Sequence, residues 1–337
     1  MLKNDERRRL EHEAIRNNVG FHEYTHDLIE VSGDDAAKFL DYIFVNDVYN
    51  LNIDDNVYTT MLDESGGIID DVIIIRKNEG TFHVSTLRGE KMIEWLESHE
   101  NDFKVTIKNV KHQNRMITIQ GPKSRDLVNE LINETIDDLK RFHVREYTVS
   151  DETVEIMRAG FTGELGYEVY VRPEFKDEFI GRLKTAGEKY NLTEVTTNIY
   201  HDSIPMEKGY ILLEDIKGLT PHEAGLGWTV DWSKDFIGKE KILNDHKKET
   251  RSPNEVKGLL VDQYIKSDTP ITFNGEKVGK VIRVVYGYTV EQYIGFALAD
   301  TSKVKENSVV EVGNNKGKIV KRKFYDLNDE RVKATNF

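Results

Sequence analysis

Two adjacent carboxylates interrupt a strongly apolar run of the chain. Asp70 and Asp71 lie in residues 68–75, and all the remaining residues of that segment are isoleucine or valine. Neighbouring side chains of a strand point to opposite faces, so one carboxylate can face a cavity while the other faces solvent or a turn. An ionised carboxylate in such a run is costly unless a partner hydrogen-bonds it, which indicates a ligand. The alternative is that both groups are hydrated at the end of a turn.

Glu168 is a further carboxylate in apolar surroundings. It follows Gly160, Gly163 and Gly166, whose spacing indicates tight turning or close backbone approach. A buried carboxylate there can accept two parallel N–H bonds from a flat heterocycle that carries an amino group beside a ring N–H, and the same geometry serves an arginine. Composition alone favours the alternative, an exposed glutamate on a strand that alternates polar and apolar residues.

Two other sets of residues carry weaker chemical signals. The segment 218–228 contains three glycines and ends at Trp228, which indicates a packed domain junction and assigns no reaction to it. His22 and His26 have the i,i+4 spacing of a metal pair on a helix, but the residues around them do not predict a helix. We therefore expect no metal site.

Periodic segments surround the candidate residues. Residues 36–43 carry apolar side chains at i, i+3, i+4 and i+7, which predicts a helix that Asp34 or Asp35 can cap. The strand pattern is clearest at 57–62, 68–76, 81–86 and 165–171. Two glycines between the first two of these strands permit the positive φ of a tight turn. The candidate carboxylates are therefore expected on strands.

The last third of the chain has a different pattern. A charged stretch at 247–254 contains a proline, and the chain beyond it is nearly all strand. The predicted strands are 256–261, 270–273, 278–286, 294–298, 309–312 and 316–325. This pattern predicts a small β-barrel or sandwich domain.

Composition limits the classes of function. At 337 residues the chain is too long for one compact core, which predicts two or three domains. The absence of cysteine excludes disulfides, thiolate metal sites and cysteine nucleophiles. A net charge of -13 argues against a nucleic-acid partner. The polar start and the short apolar runs predict a cytoplasmic protein with no membrane partner.

Several of these segments occur together in an order that resembles the glycine cleavage T-protein (aminomethyltransferase) family. The resemblance runs from about Glu11 to about Tyr325. It is carried by YTTML at 58–62, GGIIDD at 66–71, QGP at 120–122, GFTGELGYE at 160–168, TP at 220–221, EAGLGW at 223–228 and FIG at 236–238.

The resemblance implies an α+β fold in which three domains form a cloverleaf around a central folate channel. Residues 1–245 would form the folate-binding region of two intertwined domains, and residues 255–337 would form a C-terminal β-barrel. The resemblance also implies that Asp71 is catalytic and faces N10 of tetrahydrofolate, while Glu168 holds the pterin edge. It gives as further cofactor-binding residues Tyr58, Ser85, Tyr167 and Arg158.

The chemistry implied by the resemblance is one-carbon transfer. An aminomethyl group on a lipoyl carrier protein would pass to tetrahydrofolate, giving methylene-tetrahydrofolate and ammonia. Two residues depart from the family pattern, since Pro205 replaces its usual arginine and Ser85 its usual asparagine, and Lys208 or Arg158 could supply a replacement charge. The alternatives are a folate-dependent demethylase of a small methyl donor and a degenerate folate-binding paralogue.

Overall fold

The computed structural model describes residues 5–247 and 250–333. Residues 1–4 of the predicted folate-binding region and residues 334–337 of the predicted barrel domain therefore lie outside the described residues. The helices are α1 (Glu6–Asn17), α2 (Ala36–Ile43), α3 (Gly89–Ser98), α4 (Ser124–Ile132), α5 (Lys176–Gly187), α6 (Thr197–His201), α7 (Ser203–Glu207), α8 (Leu213–Ile216), α9 (Lys239–His246) and α10 (Glu330–Lys333).

The strands fall into three sheets. They are β1 (Val19–Glu23), β2 (Asp27–Ser32), β3 (Asn56–Leu62), β4 (Ile68–Asn78), β5 (Thr81–Thr86), β6 (Thr106–Asn109), β7 (Arg115–Gln120), β8 (Val144–Val149), β9 (Glu152–Met157), β10 (Gly166–Val171), β11 (Leu192–Glu194), β12 (Asn254–Val261), β13 (Pro270–Phe273), β14 (Glu276–Gly287), β15 (Gln292–Asp300), β16 (Val309–Val312) and β17 (Asn315–Val320). The predicted α+β class is confirmed.

One sheet has five antiparallel strands in the order β3-β4-β5-β2-β6. Helices α2 and α3 cover one face of it, because Phe39, Leu40 and Ile43 form the apolar stripe that the sequence predicts. Asp35 is at the N-cap of α2, but its carboxylate accepts the backbone N–H of Lys104 instead of capping the helix. The predicted side-chain cap is therefore replaced by a link between α2 and the chain that leads into β6.

The β3–β4 hairpin presents the aspartate pair. The carboxylate of Asp63 accepts the backbone N–H groups of Ser65 and Gly67, and Gly66 has a φ of 85°, which favours glycine. Thr60 of β3 then lies opposite Asp71 of β4. The turn therefore fixes the register that decides which aspartate faces which side of the sheet.

A second sheet has six strands in the order β11-β1-β7-β10-β9-β8. Helices α4 and α5 pack on one face, and Tyr167, Val169 and Val171 of β10 belong to the core between them and the sheet. Because side chains alternate along a strand, Glu168 and Tyr170 point to the other face and stay partly exposed.

The third sheet is a closed barrel of the six strands β12 to β17. Its closure confirms the barrel and excludes the sandwich that the strand pattern left open. The last predicted strand, 316–325, is too long, since β17 ends at Val320. The chain leaves the barrel there because the backbone N–H groups of Phe324 and Tyr325 both donate to the carbonyl of Glu207.

Buried ion pairs join α1, α7 and the C-terminal segment; we call these residues the junction cluster. Arg16 donates to Glu164 at 3.0 Å and to Glu207 at 3.1 Å. Lys208 pairs with Asp326 at 2.7 Å and with Asp329 at 3.0 Å. Such pairs need both partners, because burial of one charge alone is costly.

Neither a membrane span nor a metal cluster is found in residues 5–247 and 250–333. No helix there is long and apolar enough to cross a bilayer. No group of three or more histidines or acidic side chains within these ranges is placed to hold a metal ion.

Candidate functional site

Asp71 faces the interior, while Asp70 is held by protein donors. Asp70 is 5% exposed, and its oxygens accept the Asp71 N–H and the Thr86 hydroxyl. Asp71 remains partly exposed and accepts the hydroxyl of Tyr58 at 2.9 Å. Burial raises the pKa of Asp71 to about 6, although the Tyr58 bond works to lower it. The carboxylate is therefore desolvated and bound by one hydroxyl.

Tyr58 connects Asp71 to the surface. Its ring lies on that of Trp228, with centroids 6.0 Å apart. Burial and the neighbouring Asp71 carboxylate raise the pKa of Tyr58 well above its usual value, so the phenol keeps its proton and donates. The sequence assigned no chemistry to Trp228, which is 69% exposed and reaches the site only through this stacking.

Glu168 is a desolvated carboxylate without a counter-charge. The hydroxyl of Tyr170 donates to it at 3.3 Å, and no basic side chain of the described chain pairs with it. Burial raises the pKa of Glu168 to about 7. The neighbouring Tyr24 also has its pKa raised to about 12, by burial first and then by acidic groups that include Glu168.

The Asp71 and Glu168 faces meet in one interior space between the two sheets. Ile73 lies two residues from Asp71 on the same face of β4, and Tyr170 lies two residues from Glu168 on the same face of β10. Both Ile73 and Tyr170 pack on one apolar cluster. Ser85 lies opposite Ile73 across β4 and β5 and lines a small cavity together with Tyr170. We call this space the inter-sheet cleft.

His26 is a polar residue of the cleft that sequence reasoning considered only as a metal ligand. Its Nδ1 lies 2.9 Å from the Ser85 hydroxyl, and its ring meets Tyr24 edge-on at 4.8 Å. Burial lowers the pKa of His26 to about 4, so the imidazole is neutral, and its Nε2 has no hydrogen-bond partner within the described residues. His26 lies on the segment that crosses from β1 of one sheet to β2 of the other. The sequence does not show that these two strands belong to different sheets.

Two predicted cofactor-binding residues lie away from Glu168. Tyr167 is fully buried on the opposite face of β10, in the core under α4 and α5. Arg158 is 6% exposed, lies beside Tyr167 and donates to the carbonyl of Leu139 at 3.2 Å. The family resemblance gave both as cofactor-binding residues together with Glu168, but strand alternation turns Tyr167 to the opposite face of β10.

Lys208 and Arg158, the basic residues considered as replacements for the family's usual arginine, also lie away from Glu168. The ammonium of Lys208 is fully buried and is bound by Asp326 and Asp329 in the junction cluster. Pro205, where the family resemblance implies an arginine, is buried within α7. Neither Lys208 nor Arg158 therefore provides a cation to Glu168.

Comparison with known protein families identifies the family of this chain. Residues 4–234 match the model of the GCVT N-terminal domain, and residues 255–326 match that of the glycine cleavage T-protein C-terminal barrel domain. The chain belongs to the glycine cleavage T-protein family. The family resemblance seen in the sequence is thereby confirmed.

Individual relatives of this T-protein family member cover nearly its whole length. An aminomethyltransferase of Bacillus pumilus is 31% identical over 330 residues, which cover 94% of this chain and 89% of that protein. One from Pseudothermotoga lettingae is 30% identical over 322 residues, covering 93% and 88%. The glycine cleavage aminomethyltransferase T of Bartonella henselae superposes with a TM-score of 0.84 at 23% identity, covering 95% of this chain and 90% of that one, which shows the shared fold.

Proposed function

We propose that this protein is an aminomethyltransferase that uses tetrahydrofolate. Its substrates would be an aminomethyl group on the lipoyl arm of a carrier protein and tetrahydrofolate, and its products methylene-tetrahydrofolate, ammonia and the free lipoyl thiol. The observation that carries the proposal is the pair of desolvated carboxylates, Asp71 and Glu168, facing one cleft. Relatives named aminomethyltransferase match over 93–94% of the chain.

The chemistry of Glu168 fits the edge of a pterin. A carboxylate with no cation partner among the described residues can accept two parallel N–H bonds from an amino group and a ring N–H. Such bonds favour the ionised carboxylate and would lower its raised pKa. Folate binding near neutral pH should therefore release a proton from Glu168.

Asp71 would act through the negative charge of its carboxylate. Bound tetrahydrofolate would supply the nitrogen that accepts the one-carbon unit. Asp71, fixed by the Tyr58 hydroxyl, would orient that nitrogen and stabilise the positive charge that develops during transfer. Only the ionised carboxylate does this, so activity should be present above pH 6 and lost as the pH falls through the pKa of Asp71.

The cleft walls would exclude water from the transfer. Ile73 and Tyr170 bring apolar surface to the cleft, and Ser85 and the neutral His26 bring hydrogen-bonding groups without charge. In such surroundings a fixed carboxylate acts more strongly than in water, because little solvent screens it. The Tyr24 ring packed on His26 restricts the imidazole further.

Calorimetric titration with tetrahydrofolate tests the binding half of the proposal. The parent should bind saturably, and Glu168→Gln should weaken binding about tenfold to a hundredfold, the scale of a hydrogen bond to a charged group. Glu146→Gln is the matched control, because Glu146 is exposed on β8 of the same sheet. No binding by the parent at millimolar folate would refute the proposal.

Ammonia release from an aminomethylated lipoyl carrier tests the transfer half. The parent should release ammonia only when tetrahydrofolate is present. Turnover of a free methyl donor in place of the carrier would instead identify a demethylase. Folate binding without either reaction would identify a binding paralogue.

A further inference from the structure

A cavity outside the inter-sheet cleft lies where the segment 221–232 meets α9 and the start of β12. Its volume is about 410 Å³, which is within the range of small-molecule sites. The indole rings of Trp228 and Trp232 both line it, and Val230 and Ile242 add apolar surface. We call this cavity the tryptophan pocket.

Three polar atoms of the tryptophan pocket have no partner within the protein. Oδ2 of Asp245, Nε of Arg251 and Nε2 of His222 are buried, and none has a hydrogen-bond partner among the described residues. The His222 Nε2 lies 3.6 Å from a carboxylate oxygen of Glu255, which is too far for a hydrogen bond. Buried polar atoms are nearly always hydrogen-bonded, so three such atoms around one cavity indicate a polar occupant.

The charges that lack a partner in this pocket are one acid and one base. Neither Asp245 nor Arg251 forms an ion pair within the described residues, whereas Glu255, also in the lining, is paired with Lys257. Asp245 lies in the last turn of α9, where the negative end of the helix dipole does not support a carboxylate. An anion or a cation would be attracted by one of the two charges and repelled by the other. A zwitterion would pair with both.

The two indole rings suit an occupant that carries both an ammonium group and an apolar group. Trp232 packs on the ring of His246, with centroids 4.6 Å apart, and Trp228 stacks on Tyr58. An indole face attracts an ammonium group and also packs against hydrocarbon. An occupant would therefore contact the ring that stacks on Tyr58, whose hydroxyl donates to Asp71.

We propose that the tryptophan pocket binds a free α-amino acid with an apolar side chain. The ammonium group of the ligand would bind the Asp245 carboxylate, and its carboxylate would bind the Arg251 guanidinium, with the His222 ring as a second hydrogen-bonding group. The apolar side chain would pack on the indole rings. This site is separate from the cleft that contains Asp71 and Glu168, so the inference does not rest on the proposed function.

Calorimetric titration of the full chain with L-leucine and L-phenylalanine tests the site without folate or turnover. At least one of the two should bind saturably at millimolar concentration. L-leucinamide, which lacks the carboxylate, and isocaproate, which lacks the ammonium group, should each bind at least tenfold more weakly than L-leucine, because each leaves one charge of the pocket unpaired. No saturable binding of either amino acid would overturn the proposal, and equal affinities within the leucine series would show that the pocket does not select a zwitterion.

Substitution of the two charged residues locates the ligand. Asp245→Asn should weaken binding of the amino acid at least tenfold and leave isocaproate binding unchanged, whereas Arg251→Met should weaken it equally and leave leucinamide binding unchanged. Glu240→Gln should bind like the parent, because Glu240 is an exposed acid in the first turn of the same helix, outside the pocket lining. Amino-acid affinities unchanged in Asp245→Asn and Arg251→Met, or competitive displacement of the amino acid by tetrahydrofolate, would overturn the assignment of a separate site.

Discussion

The inter-sheet cleft and the junction cluster both bury acidic groups, but among the described residues only the junction cluster pairs them with basic side chains. Burial still raises the pKa of Glu164 in that cluster, so the contrast in pKa is between the cleft acids and Glu207. In the junction cluster, burial would raise the pKa of Glu207, but the hydrogen bond from His12 and the charge of Arg16 lower it below its usual value. In the cleft, burial raises the pKa of Asp71 to about 6 and of Glu168 to about 7, and hydroxyl groups only partly oppose it.

The difference separates structural charges from available ones. Each acid of the junction cluster meets a cation from another element, so the pairs hold α1, α7 and the C-terminal segment together. The carboxylates of the cleft keep their acceptor capacity at a cost in folding free energy. Perturbed acids without counter-charges are candidates for function, and those with counter-charges are candidates for stability.

The largest effect should follow from breaking the junction cluster. Arg16→Met leaves Glu164 and Glu207 without their shared cation, and loss of one partner of a buried pair costs about 3–5 kcal/mol. Chemical denaturation should show this decrease in the free energy of unfolding. Arg182→Met, which removes an exposed ion pair on α5, should change it by less than about 1 kcal/mol. Equal decreases in the free energy of unfolding for the two substitutions would show that the junction cluster contributes no more to stability than an exposed ion pair.

Asp71→Asn should have the opposite profile, with a large loss of activity and no loss of stability. The neutral amide still accepts the Tyr58 hydroxyl but no longer stabilises positive charge, so kcat should fall about a hundredfold, as for loss of one preorganised electrostatic group. The melting temperature should stay equal or rise, because a desolvated charge is removed. A variant that lost stability and kept kcat would show that Asp71 is structural.

Sequence periodicity predicted the local elements well and their assembly poorly. The hairpin of β3 and β4 followed from alternation and turn glycines, and the barrel strands followed from the same signals. Local signals are sufficient there because the contacts are close in sequence. The cleft that the Asp71 face of β4 and the Glu168 face of β10 border depends on how two sheets pack, which periodicity does not predict.

Two other site residues also depended on tertiary packing. The family resemblance gave Tyr167 as cofactor-binding and Lys208 was considered as a replacement charge, but Tyr167 lies in the core under α4 and α5, and Lys208 pairs with the distant Asp326. The sequence assigned no reaction to Trp228 and considered His26 only as a metal ligand, because their contacts in the site are with residues far along the sequence, Tyr58 and Ser85 respectively. A residue's type indicates what it can do, and tertiary packing decides where it does it.

Glu168 should make stability depend on pH in the direction opposite to Glu207. Its pKa rises from 4.5 unfolded to about 7 folded, so its stabilising contribution is complete below pH 4.5 and is lost as the pH rises through 7. Unfolding free energies of the parent and Glu168→Gln should therefore diverge by about 1–3 kcal/mol between pH 4.5 and 8, with the parent losing relative stability. Parallel curves would mean that the cleft keeps Glu168 hydrated.

Tyr58→Phe gives the smallest and most specific change. The Tyr58 hydroxyl stabilises the ionised form of Asp71, so its removal should raise the pKa of Asp71. The acidic limb of the kcat profile should then move to higher pH by about one unit, which is the scale of one hydrogen bond to a charged group.

Activity of Tyr58→Phe should fall severalfold near pH 6.5 and return to nearly the parent value at pH 8.5, because Asp71 is ionised again there. Trp228→Leu is the matched control, since it removes the ring that stacks on Tyr58 but leaves the hydroxyl in place. It should change the KM for folate and leave the acidic limb unmoved. A Tyr58→Phe defect that persisted at pH 8.5 would mean that Tyr58 positions substrate directly and does not act through the charge of Asp71.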